Sequence, residues 1–262
     1  MTTRLPLGMC TSLALAGCGG GGGGITYNND VRCPSTEAQP DEEGVLYGTE
    51  DRDRQYLNIY NPPGSGPHPV FLFSHQNGAT ACDVSEQQSQ VVHGEGYTIV
   101  SWESHPLLET PEELSDAWAD ANLVMEFLEA NAAAFRMDMS DIIVAGRSRG
   151  SAASWKLAHG GDPAVRGLYM AQALPDQVWA EPEVWDPRDD VTVDAPPIHF
   201  AYSPSEPDID DDNHDPRRGM DIIDAYDELG IRDRTSIELG VPRPDLYDHF
   251  PTFLASLETS VP

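Results

Sequence analysis

Apolar positions along the chain fall into two kinds of run that take turns. Short stretches rich in β-branched and aromatic residues lie at 45–48, 56–60, 69–74, 97–102, 141–145, 165–171, 198–202 and 235–239, and read as strands. Between them lie segments with helical spacing, at 84–93, 111–135, 150–161, 220–229 and 250–257. In the longest of these, Trp118, Ala121, Met125 and Leu128 share one face. Asn61-Pro62-Pro63-Gly64 marks a turn, and Gly160-Gly161 and Gly230 close helices. Strand alternating with helix predicts an α/β fold: a mostly parallel eight-stranded sheet with helices on both faces. The segment 175–194 is short and rich in Trp, Pro and acids, which predicts little or no lid.

The pattern changes at the N-terminus. Arg4 precedes the short apolar stretch from Leu5 to Ala16, too brief to span a bilayer, which ends in Leu15-Ala16-Gly17-Cys18 and a run of glycines from Gly19 to Gly24. This resembles the lipobox of bacterial lipoproteins, whose cleavage before the cysteine and acylation of its thiol imply lipidation at Cys18. The expected organisation is a signal peptide over 1–17, a Gly-rich tether and arm over 18–42, and the α/β domain over 43–262. The expected location is the bacterial cell envelope, lipid-anchored to membrane, with plain secretion as the alternative. Export into an oxidising compartment permits a disulfide between Cys33 and Cys82.

Composition narrows the partners. The formal net charge is −29, from 44 acidic and 15 basic residues, and Lys156 is the sole lysine. Such a surface repels phosphate backbones, so nucleic acid is not an expected partner. Membrane contact is expected through the N-terminal lipid alone.

The candidate chemistry centres on Gly146-Arg147-Ser148-Arg149-Gly150, directly after the apolar run Ile142-Ile143-Val144-Ala145. A G-x-S-x-G turn between strand and helix holds a serine exposed, and glycines on either side avoid collision with the neighbouring helix. With Tyr56-Leu57-Asn58-Ile59-Tyr60-Asn61-Pro62 and Pro69-Val70-Phe71-Leu72-Phe73-Ser74-His75 upstream, the chain from about 44 to 260 resembles α/β-hydrolases. Within that superfamily it is similar to bacterial carboxylesterases and dienelactone-hydrolase-like serine esterases. The resemblance implies Ser148 as nucleophile. It implies His249, in Tyr247-Asp248-His249-Phe250 past the last strand, as base, with an acid between them in chain order. The resemblance implies Glu206 for that acid, in the loop after the 198–202 strand, with Asp208 as the alternative. An oxyanion hole is implied from the backbone N–H of Arg149 and of Asn77 or Gln76, in a loop reading His75-Gln76-Asn77-Gly78 where the family has His-Gly.

No metal and no cofactor are expected. The run Asp208-Ile209-Asp210-Asp211-Asp212-Asn213 opens like a calcium loop but has Asn213 where glycine belongs and Gly219 where glutamate belongs. Arg147 and Arg149 either attract an acidic substrate group or pair with nearby carboxylates. The leading expectation is an exported, membrane-tethered serine hydrolase acting on small-molecule or polymer-linked esters. The alternatives are a non-catalytic binding module on the same fold, or a lipase or peptidase using the same residues.

Overall fold

The computed structural model describes residues 24–105, 111–174, 185–206 and 214–259. The signal segment with Cys18, the alternative acid Asp208 and the run 208–213 lie outside these. The chain forms β1 (Glu42–Leu46), β2 (Tyr56–Tyr60), β3 (His68–Ser74), α1 (Glu86–Gly94), β4 (Thr98–Trp102), α2 (Pro111–Phe135), β5 (Met137–Arg147) and α3 (Gly150–Ala158). It continues through β6 (Val165–Ala171), β7 (Ile198–Ala201), α4 (Arg217–Glu228), β8 (Thr235–Glu238) and α5 (Phe250–Thr259). The eight strands lie in the order β1-β2-β4-β3-β5-β6-β7-β8. β2 pairs antiparallel with both β1 and β4, and the remaining pairs are parallel.

Period-two alternation in the central strands explains both covered faces. Val70, Leu72, Ile142, Val144, Leu168 and Met170 turn to one side and pack under α2, α3 and α4. Phe71, Phe73, Ile143, Ala145, Tyr169 and Ala171 turn to the other, under α1 and α5. That second face is an aromatic cluster. Phe250, the first residue of α5, meets Phe71 edge-on at 5.0 Å and Tyr97 at 5.5 Å between ring centroids. Each such pair adds about 0.5–1.5 kcal/mol beyond area burial.

Two strands differ from the expected bounds by more than one residue. β5 starts at Met137 because His68 and Pro69 pair with Met137 and Asp138 before the register shifts to Val70–Ile142. The polar residues Asp138, Ser140 and Asp141 hide that extension from a hydropathy reading. β1 starts and ends earlier than 45–48, with its own register shift between Glu42 and Val45. The described part of the expected tether is docked on the domain: Tyr27 bridges to Val45, Ala38 is buried, and Cys33 is bonded to Cys82.

Two histidines, His199 buried and His159 half-buried, are held neutral by the fold. Burial lowers His159 to a pKa of about 4, and burial with the adjacent His249 lowers His199 to about 3. An unfolded chain binds these protons near pH 6.5, so the unfolded state is favoured as pH falls through the window from 6.5 toward 3. Stability is therefore expected to be full above pH 6.5 and to drop through that window. Acid titration followed by circular dichroism should place the unfolding midpoint of His199→Phe at lower pH than that of the parent.

Candidate active site

Strand order sets where the chemistry sits. Ser74 pairs in register with Gly146, so the loops leaving β3 and β5 emerge side by side at the carboxyl edge of the sheet. There Ser148 adopts φ +52°, the left-handed region that a residue with a side chain rarely enters. The turn is held by Ser148 N–H donating to the Ala171 carbonyl at 3.0 Å. The Ser148 carbonyl accepts the Ser151 N–H at 3.0 Å and the Ser151 hydroxyl at 2.5 Å.

The flanking glycines are required by space. A Cβ on Gly146 would lie 2.6 Å from Ser151 Cα. One on Gly150 would lie 2.7 Å from the Ser74 carbonyl carbon and closer still to the carbonyl oxygens of Ser74 and His75.

The imidazole facing Ser148 belongs to His214. Its Nε2 lies 2.9 Å from Ser148 Oγ, and both residues are half-buried. The residues just after His214 fix its place. Asp215 is buried and bonded to the Arg217 guanidinium, accepts the Arg217 N–H at 2.9 Å, and so anchors the start of α4. The hydrogen bond from Arg217 holds the Asp215 carboxyl below the usual range. Gly219 then lets α4 settle against Tyr202, since a Cβ there would lie 2.9 Å from the Tyr202 ring.

The structure does not bring His249 to this place, which corrects the expectation drawn from chain order. Phe250 is pulled into the aromatic cluster, and His249 goes with it to stack on His199 at 6.0 Å. His199 sits two register positions back from the carboxyl edge, opposite Tyr169, and both histidines line a small separate cavity with Ser236 and Phe253. The sequence carried one faint sign of this: an aromatic residue directly after His249 that belongs to the core.

Glu206 is exposed in the bend after β7. Of the oxyanion candidates, Arg149 stands at the N-terminus of α3, and Gln76 and Asn77 lie in the loop after β3. Gln76, Asn77 and Arg149 line one cavity of about 320 Å³, together with Arg54, His75 and His105. This sets the 76–77 loop beside the start of α3.

One unforeseen network underlies that loop. His75 Nδ1 lies 3.0 Å from the Gln76 carbonyl, and Nε2 lies 3.3 Å from Glu103 Oε2. Glu103, just past β4, is buried and also accepts from Arg54 at 3.3 Å. Burial would push the His75 imidazolium pKa down, but the Glu103 hydrogen bond and charge outweigh it and raise it. Among the described residues, the cluster tight enough for a metal ion is Cys33, Glu43 and Cys82, whose two sulfurs are bonded to each other.

No family model matches the chain, and no curated protein does. Solved structures do. A truncated carbohydrate esterase from gut microbiota superposes with a TM-score of 0.66 at 13% identity, covering 87% of this chain and 100% of its own. Esterase 2 of Thermogutta terrifontis gives 0.62 at 13% identity, over 90% and 99% of the two chains. Esterase LipW of Mycobacterium marinum gives 0.55 at 18%, over 90% and 79%. At these identities the likeness is one of fold: the chain has the α/β-hydrolase architecture.

The elbow's steric account is testable by contrast. Gly150→Ala is expected to lower stability by roughly 2 kcal/mol or more, since backbone and not a flexible side chain must yield. Gly94→Ala, at the end of α1 with nothing within 4 Å, should stay within about 0.5 kcal/mol. Urea unfolding of the two variants measures the difference.

Proposed function

We propose that this chain is a serine hydrolase of carboxylic esters, with Ser148 as nucleophile and His214 as base. The observation that carries the reading is the 2.9 Å contact between Ser148 Oγ and His214 Nε2 on a turn strained to φ +52°. Strain of that kind is retained where the surrounding structure over-determines it, and it concentrates at reacting residues.

The proposed chemistry runs through this contact. His214 Nε2 takes the proton as Ser148 Oγ bonds to the ester carbonyl carbon. The carbonyl oxygen gains negative charge and is met by the Arg149 N–H and one from the 76–77 loop. His214 then gives its proton to the departing alcohol, leaving an acyl group on Ser148. Water, deprotonated by His214, attacks that carbonyl and releases the acid with Ser148 restored. Glu206 or Asp208, both in the loop that delivers His214, is the proposed orienting acid.

The open cavity of about 320 Å³ suits small or polymer-linked acyl esters, and the fold shared with a carbohydrate esterase supports esterified polysaccharide as a source. Export and lipid anchoring through Cys18 belong to the same proposal, supported by the leader's pattern and by the Cys33–Cys82 bond.

A fluorophosphonate should phosphonylate Ser148 in the parent, read by intact mass. Ser148→Ala and His214→Ala should lose ester turnover by roughly four orders of magnitude, while His249→Ala should keep it. Retention in His214→Ala with loss in His249→Ala would reverse the assignment. Absence of any adduct on the parent would favour the binding-module reading. Of Glu206→Gln and Asp208→Asn, the one that leaves turnover intact is not the acid.

A further inference from the structure

We propose that His75 and Glu103 are positioning residues: His75, held as an imidazolium between the Gln76 carbonyl and Glu103, clasps the oxyanion loop in its working shape. This rests on the reading of Ser148 as nucleophile.

The geometry supplies the charge state. Both ring nitrogens face acceptors, Nδ1 the Gln76 carbonyl at 3.0 Å and Nε2 the Glu103 carboxylate at 3.3 Å. A neutral imidazole carries one N–H and satisfies one of them, whereas the imidazolium satisfies both. The Gln76 carbonyl also accepts the Ala79 N–H at 3.2 Å, closing the 76–79 turn that holds Asn77. The same oxygen therefore ties the histidine to the backbone expected to donate to the oxyanion. The other nitrogen ties it across to the end of β4.

The charged groups around His75 come from several segments. Glu103 approaches from beyond β4, Arg54 from the turn before β2, and Asp83 from the stretch before α1. Arg149 and His105 line the same cavity. Glu103 favours the imidazolium directly, while Arg54 competes for the same carboxylate and adds positive charge beside it.

The consequence is an alkaline limit on reactivity. Once His75 loses its proton, one of the two bonds goes and the donor N–H is no longer held in place. The direction is that of a base whose pKa folding raises: the clasp is intact below about pH 6.5 and is lost as pH climbs through the raised value.

The test uses the rate of Ser148 phosphonylation against pH, which needs no knowledge of the ester, alongside proton NMR titration of the His75 ring. In the parent, the rate should fall about tenfold or more through the same pH at which the His75 resonance shifts, above 6.5. Glu103→Gln keeps an acceptor but removes the charge, and should move both transitions to lower pH. Arg54→Gln should move both to higher pH, and its half-exposed side chain lets that variant carry the test if Glu103→Gln fails to fold. A merely structural pair would lower the rate equally at every pH. A His75 resonance titrating at or below 6.5, or a rate profile unmoved by either substitution, overturns the proposal. A parent that never labels at Ser148 overturns the serine-hydrolase reading instead, and is told apart because the NMR titration still reports the clasp.

Discussion

The close approach of Gly150 to the end of β3 is the constraint from which the site's other features descend. Neighbouring parallel strands lie about 4.8 Å apart, and β3 and β5 are neighbours whose Ser74 and Gly146 are in register. The loop after β3 and the helix after β5 must therefore leave the sheet through the same narrow space. Glycine on both sides makes that possible, and the serine between them is forced into the left-handed region. That conformation costs on the order of 1–2 kcal/mol. It is offset locally by the Ala171 carbonyl and by Ser151, a buried hydroxyl that donates to the Ser148 carbonyl and accepts from the Leu174 N–H. The same compression that strains Ser148 sets the 75–78 loop beside the N-terminus of α3. The strained turn at Ser148 and the approach of the 75–78 loop to α3 have one structural cause.

Compensation for strain comes from a core divided unequally. The face under α2, α3 and α4 takes aliphatic residues from the central strands, buries Trp102, Trp155 and Phe200 as well, and meets small residues on α3 such as Ala152 and Ala153, so α3 lies close enough to start at once after the elbow. The opposite face is aromatic, with Phe71 touching Tyr169, Tyr247 and Phe250. Aromatic packing fixes direction as well as energy. It therefore decides where the chain segment just before α5 can go, and that segment contains His249.

The elements were legible because burial on both faces writes itself into consecutive apolar runs. The alternation in Val70-Phe71-Leu72-Phe73 and in Ile142-Ile143-Val144-Ala145 is visible without coordinates. The strained turn at Ser148 was legible for a similar reason, since two glycines record a steric demand. The base was not. His214 lies in a polar stretch with no hydrophobic period, and its position depends on Asp215 binding Arg217 and on Gly219 meeting Tyr202, contacts that no local pattern encodes. The His75–Glu103 pair was hidden in the same way, joining the ends of β3 and β4 from positions far apart in sequence.

Sheet geometry explains why the loop after β7, and not the one after β8, reaches the serine. From β5 to β7 is two strand spacings, about 10 Å, and to β8 three, about 14 Å. The longer reach falls to a segment already committed elsewhere: Val241, Leu246 and Tyr247 are buried in the aromatic face, with the Tyr169 hydroxyl bonded to the Leu246 carbonyl at 2.8 Å. A histidine on that segment is carried under the sheet. His214 stands directly before Asp215, where α4 is anchored, and it is the residue that meets Ser148. That histidine is thus held by the anchor at the start of α4, on the segment that leaves the nearer of the two strands.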